Sequence, residues 1–152
     1  MDIKIDDLSG GEVVQLLEEH LTDMYAISPP ESVHALDVDS LKSPDVTFFS
    51  GWVDGELMGC VAIKALTPTH IELKSMRTVT HARRSGVARQ LLSYALRESE
   101  QRGYQQMSLE TGSQDDFKAA RHLYEQFGFN YCAPFADYQA DPNSKFMTLF
   151  IS

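Results

Sequence analysis

Hydrophobic positions along this chain recur with two periods, and the switches between them mark the elements. Asp2 to Asp6 alternates weakly and predicts a first strand. Val13, Leu17, Leu21 and Met24 then fall at helical spacing, with Glu18, Glu19 and Asp23 on the other side. Ser9 followed by Glu12 has the spacing of a capping box at the start of that helix. Ser28-Pro29-Pro30-Glu31 breaks it and can open a short second helix, since proline fits a first turn. Val46 to Val53 is β-branched and aromatic and reads as a strand. Asp54-Gly55 is a tight-turn signal, and Glu56 to Lys64 is the partner strand. Thr67-Pro68-Thr69 turns the chain again, and His70 to Val79 completes a three-strand meander.

From Gly86 the period returns to that of a helix. Ala88, Leu91, Leu92, Ala95 and Leu96 form one stripe, ended by Gly103. Gln105 to Thr111 predicts a strand. A helix from about Asp116 carries Ala119, Ala120, Leu123, Tyr124 and Phe127 and stops at Gly128. Phe129 to Cys132 and Lys145 to Ile151 read as the last two strands. A strand–helix–strand crossing in the middle of this order predicts a local parallel pair in a mostly antiparallel sheet, an α+β arrangement. With 152 residues, no repeat and no linker, the pattern fits one domain, residues 1–152.

Charge narrows the function. The formal net charge is -9, which disfavours a nucleic-acid binder. Its distribution is uneven. Residues 1–70 hold 3 basic side chains against 13 acidic ones, whereas residues 71–104 hold 7 against 3. One basic island on an acidic body fits an anionic ligand bound at one place. No apolar run is long enough for a membrane span, the acidic N-terminus does not read as a secretory signal, and Cys60 and Cys132 lie far apart. A reduced, cytoplasmic protein is the expectation. The five histidines show no metal-ligand spacing, and no metal is expected.

The basic island centres on Arg83-Arg84-Ser85-Gly86-Val87-Ala88-Arg89. A strand, a glycine-containing loop and a helix start make an anion trap. The first-turn amides of a helix are unpaired, its dipole adds partial positive charge, and a glycine lets a ligand approach the backbone. A phosphate or pyrophosphate is the natural ligand. The loop has neither a P-loop lysine nor a three-glycine dinucleotide fingerprint. It does fit Gln/Arg-x-x-Gly-x-Gly/Ala, through Arg83, Gly86 and Ala88.

With that loop the sequence resembles the GNAT superfamily of acyl-CoA-dependent N-acetyltransferases. Leu123-Tyr124-Glu125-Gln126-Phe127-Gly128-Phe129 and Leu109-Glu110-Thr111-Gly112 resemble later elements of the family. Ser28 to Leu36 and Pro134 to Tyr138 resemble segments of one bacterial subgroup. Thr80 replaces a frequent proline, and Ala88 a frequent glycine. The resemblance implies a three-layer α/β/α sandwich, with about four helices flanking about seven strands and a splayed central parallel pair. It implies acetyl-CoA as cofactor, and a primary amine of a small molecule or peptide as acceptor, attacked directly in a ternary complex. The alternative is an acyl-CoA-binding sensor without turnover. A monomer or homodimer is expected, with no nucleic-acid or membrane partner.

The same resemblance distributes the residues. Arg84, Ser85, Gly86, Val87 and Ala88 would offer amides to the diphosphate, with Arg83 and Arg89 nearby. Met76 and Thr78 would pair their main chain with the pantetheine arm, and a bulge in their strand would open the slot. Tyr124 would be the general acid for the departing thiolate. Glu72 would be the general base, directly or through water, and Glu110 its reserve; either could instead be paired with Lys74 or an arginine, leaving a water chain as the base. His20, Glu31, Ser32, His34 and Tyr138 would read the acceptor. The acidic first half of the chain favours a cationic one.

Overall fold

The computed structural model describes residues 1–151. Seven strands form one sheet in the order β1-β2-β3-β4-β5-β7-β6. They are β1 (Asp2–Ile5), β2 (Val46–Val53), β3 (Glu56–Ala65), β4 (His70–Thr78), β5 (Gln106–Gly112), β6 (Asn130–Cys132) and β7 (Ser144–Phe150). Four α-helices accompany them: α1 (Gly11–Ile27), the one-turn α2 (Val38–Leu41), α3 (Val87–Gln101) and α4 (Lys118–Gln126). All neighbouring strands are antiparallel except β4 and β5, the pair that α3 connects.

The β2–β3 turn follows from its sequence. Asp54 and Gly55 both take positive φ, at 50° and 78°, the backbone a two-residue hairpin needs. The helix ends follow from theirs. After α3, Gly103 and Tyr104 donate their amides to Glu100 and Ser99; after α4, Gly128 and Phe129 donate to Glu125 and Tyr124. Each pair caps carbonyls the helix leaves unpaired.

The start of α1 departs from the capping box. Its N-cap is Gly10, with no side-chain cap, because the Ser9 hydroxyl donates to Asp7 Oδ1 at 2.5 Å instead. Asp37 caps α2, a helix the periodicity did not predict, by accepting from the Ser40 amide. The Pro30–Ser32 turn is 3₁₀ rather than α, and α4 is entered through another 3₁₀ turn, Asp115–Phe117.

Two cores sandwich the sheet. On one face Val13, Leu16 and Leu17 of α1 bury against Phe48, Leu57, Cys60 and Ala62. On the other, Val87, Leu91, Leu92 and Ala95 of α3 and Tyr124 of α4 bury against Val61, Ile63, Ile71, Leu73, Met107 and Leu109. Gly59 lets α3 start close to the sheet, since a Cβ there would lie 2.6 Å from the Arg77 carbonyl and 2.9 Å from Leu91. The helix start is thereby fixed beside the end of β4.

Candidate active site

The site begins where two parallel strands part. β4 and β5 are in register only at His70–Gln106, Ile71–Met107 and Glu72–Ser108. Beyond Glu72, β4 bulges. Lys74 faces Ala62 and Arg77 faces Cys60, so Ser75 and Met76 together stand opposite the single residue Val61. Ser75 carries the bend at φ 51°, in the left-handed region. β5 meanwhile runs straight on, paired with β7 as far as Gly112. Between the diverging strands lies a cleft of about 130 Å³, bounded by Leu73–Met76, Leu109–Gly112, His20 of α1 and Tyr124 of α4.

At one end of β4 sits the basic loop. After Thr78 comes a 3₁₀ turn, Thr80–Ala82. Arg84 takes φ 65° and Gly86 φ 86°, and α3 starts at Val87. Within the described residues, no protein atom accepts the amide hydrogens of Ser85, Gly86, Val87 or Ala88. A Cβ on Gly86 would meet nothing within 4 Å, so the space over these amides is open. Arg83 and Arg84 are exposed beside it. Arg89 is directed elsewhere: its guanidinium donates to Gln126 Oε1 at 2.6 Å and lies 5.3 Å from the Phe127 ring centroid. This geometry suits a diphosphate, which the free amides would bind and the two arginines would neutralise. Met76 and Thr78, on the β4 segment that has left β5, are both half-buried.

On the α1 side of the cleft, carboxylates and cations are packed together. Glu72 is buried, and its Oε2 accepts from Lys74 Nζ at 3.2 Å and from the Tyr138 hydroxyl at 2.5 Å. Lys74 Nζ also donates to the Tyr138 oxygen at 2.9 Å. Glu72 is therefore held in a closed trio, the pairing that burial of a carboxylate demands. Among the described residues Glu110 has no cation in hydrogen-bond contact, and its Oε2 accepts only from the Ser144 hydroxyl, at 2.8 Å. Burial pushes the Glu110 carboxyl up to about 7, against the smaller opposing effects of Ser144 and Lys74. Of the two carboxylates, Glu110 is thus poised to exchange a proton near neutral pH.

Tyr124 is buried between the cleft and Phe129, with no hydrogen-bond partner for its hydroxyl among the described residues. Burial first, then the charge of Glu110, raises its phenol well above the usual range, so the proton stays on Oη. Residues 133–141 cover the outer side. Tyr138 meets His34 edge-on at 5.0 Å and Phe135 at 5.0 Å. Outside the Glu72–Lys74–Tyr138 trio opens a second chamber of about 440 Å³, with Glu31 and Asp137 at its wall. Ser32 is tied down, its hydroxyl donating to Asp141 Oδ2 at 2.6 Å. The structure thus gathers Glu72, Glu110, Tyr124, Tyr138, His20, Ser32 and His34 around one cleft, with Ser32 also pinning the 133–141 segment, and leaves Glu31 on the outer chamber.

The profile of the acetyltransferase (GNAT) family matches residues 13–129, most of the chain. This chain belongs to the GNAT family. The Bacillus subtilis (strain 168) protein named uncharacterized N-acetyltransferase YsnE is 56% identical over 148 residues, covering 97% of this chain and 98% of its own. A crystal structure assigned to an acyl-CoA N-acyltransferase of Klebsiella pneumoniae superimposes with a TM-score of 0.80 at 24% identity, covering 99% of this chain and 97% of that one. An aminoglycoside 6'-N-acetyltransferase complexed with coenzyme A superimposes with a TM-score of 0.72 at 17% identity, covering 100% and 98%. The GNAT fold and acyl-CoA-dependent N-acetyltransferase activity follow from this membership, as does acetyl-CoA as the acyl donor. No helix among the described residues is long and apolar enough to cross a membrane.

Sequence reasoning named Lys74 as an alternative partner of the carboxylates, which the Glu72–Lys74 pair bears out, but gave it no part in the site itself, and it did not place Ser75 there. Lys74 left a signal: it lies two residues from Glu72 on one strand, and alternate strand positions share a face. Ser75 left none, because nothing in a serine marks the left-handed bend of a bulge.

Proposed function

We propose that this GNAT enzyme acetylates a primary amine of a small molecule or peptide by direct attack in a ternary complex, with Glu110 as the general base and Tyr124 as the general acid. Acetyl-CoA supplies an activated thioester. The residues Arg83 to Ala88 hold its diphosphate, and the free edge of β4 at Met76 and Thr78 aligns its pantetheine arm beside β5. Much of the rate then comes from holding two reactants in one cleft. Glu110 Oε accepts the proton the amine must lose, and Tyr124 Oη donates to the departing sulfur. Glu72, first in line from the sequence, instead fixes Lys74 and Tyr138 at the border between the inner cleft and the outer chamber. His34 packs on Tyr138 and shapes the acceptor path. Arg89 supports α4 rather than the diphosphate. The enzyme works in the cytoplasm, as a monomer or homodimer, on acceptors other than nucleic acid.

The observation that carries this reading is that Glu110 of β5 and Tyr124 of α4, whose hydroxyl has no hydrogen-bond partner among the described residues, line one cleft between the diverging strands. Thiol release from acetyl-CoA with a panel of amines tests it. The Tyr124→Phe variant should lose roughly 10²-fold in kcat while its coenzyme A affinity, read by calorimetry, stays that of the unaltered protein. Unchanged turnover in that variant removes Tyr124 from the acid role.

A further inference from the structure

The bulge of β4 leaves a set of polar atoms unused. His20 Nδ1, Ser75 Oγ and Arg77 Nε are all buried, and none has a hydrogen-bond partner among the described residues. Two of the three share one wall. His20 and Ser75 both line the inner cleft. Arg77 stands behind them: it is the cross-strand partner of Cys60, whose thiol reaches the Ser75 carbonyl at 3.3 Å. The Arg77 side chain is 9% exposed, and one end of its guanidinium binds Asp23 Oδ2 at 2.6 Å, one helical turn along α1 from His20. Each orphan can donate. An arginine Nε–H can do nothing else, a serine hydroxyl turns freely, and a neutral imidazole carries its proton on either nitrogen.

The imidazole of His20 is neutral at physiological pH. Burial, and then the charge of Arg77, push it down to about 4, while Asp23 opposes them less. Buried donors without acceptors are costly, and native interiors hold few of them. The missing partner is therefore rich in acceptor oxygens and tolerates a positive field. Asp23, held on Arg77, is the acidic residue of α1 that meets this wall, whereas Asp2, Asp7, Glu12, Glu18 and Glu19 are exposed. The wall also borders the same small cavity as Glu110, so a group held there sits within one small molecule of the base.

We propose that His20 Nδ1 and Ser75 Oγ, backed by the Arg77 guanidinium, receive a carboxylate of the acceptor, which makes the acceptor an amino acid or another small amine that carries an acid group. This inference rests on the acetyltransferase reading above, with the amine end at Glu110. It replaces the cationic acceptor that overall charge favours.

The test uses the full-length protein in two measurements. Calorimetric titration with coenzyme A comes first; absence of binding overturns the acetyltransferase reading itself. Thiol release from acetyl-CoA is then compared for the standard amino acids, each against its own carboxamide. The acids should lead in kcat/KM by roughly tenfold or more, since a site built to bind an oxygen pair discriminates against its loss. Ser75→Ala and His20→Ala should shrink that ratio mainly through the KM of the acid, leaving the coenzyme A affinity intact. Equal turnover, a preference for the carboxamides, or turnover of neither while coenzyme A binds overturns the carboxylate site. So does a preference for acids that both variants retain. Should either variant fail to fold, the ratio measured on the unaltered protein alone decides the case.

Discussion

The two halves of the site are built in opposite ways. The proposed donor half is local: six consecutive residues, Arg83 to Ala88, hold the open amides and two exposed arginines, with Gly59 and the end of β4 beside them. The acceptor half is scattered. His20 comes from α1, His34 from the segment before α2, Glu72 and Ser75 from β4, Glu110 from β5 and Tyr138 from the cover segment. Under the proposed function, main-chain groups bind the common donor and side chains from distant segments read the acceptor. Changing one of those scattered side chains would therefore leave the start of α3 undisturbed.

If the halves are separable, lesions in each should leave the other intact. The largest effect is expected from Glu110→Gln. Its kcat should fall by roughly 10²- to 10³-fold with coenzyme A affinity preserved; an equal loss of affinity would show the halves to be coupled. In the unaltered enzyme, kcat/KM should fall as pH drops through about 7, because the base works only when deprotonated. Stability runs the other way. A carboxyl whose folded pKa lies above its unfolded value binds more protons when folded, so its contribution is present below pH 4.5 and lost as pH rises through about 7. Glu110→Gln should accordingly be more stable than the unaltered protein at pH 8 than at pH 5, as thermal melts will show.

Next in size is Tyr138→Phe. Removing a hydroxyl that both donates to Glu72 and accepts from Lys74 should cost about 1.5–3 kcal/mol of stability, read by denaturant titration, and should raise the acceptor KM without moving the affinity for coenzyme A. A variant with unaltered acceptor KM would take the trio out of the acceptor path. The smallest effect belongs to the donor half. Gly86→Val forces a β-branched residue into φ 86°, at about 1–2 kcal/mol. That strain should weaken coenzyme A binding by roughly tenfold while leaving acceptor discrimination as it was. A shift in the acid-to-carboxamide ratio in this variant would break the separation from the donor side.

Legibility follows the same division. The Asp54-Gly55 hairpin, the glycine stops of α3 and α4, the parallel β4–β5 pair and the α3-start loop were all readable, since each rests on residues adjacent in sequence or at a fixed period. The Ser9 cap failed because Asp7, two residues away, competes for the same hydroxyl, and local patterning ranks such rivals poorly. The order of the two carboxylates was not readable either. Glu72 and Glu110 are alike in sequence, both on buried strands facing α1, and only Lys74 and Tyr138 set them apart. Tyr138 is 66 residues from Glu72.

By itself the sequence determined most of the elements, their order and the glycine loop before α3, because periodicity, turn residues and a helix start act over a few residues of chain. The tertiary structure decided which carboxylate stays free to take a proton, which arginine leaves the loop for α4 and which donors on the β4 bulge stay unpaired. Those outcomes depend on how much water is excluded and which charge stands opposite, quantities that exist only once distant segments have packed.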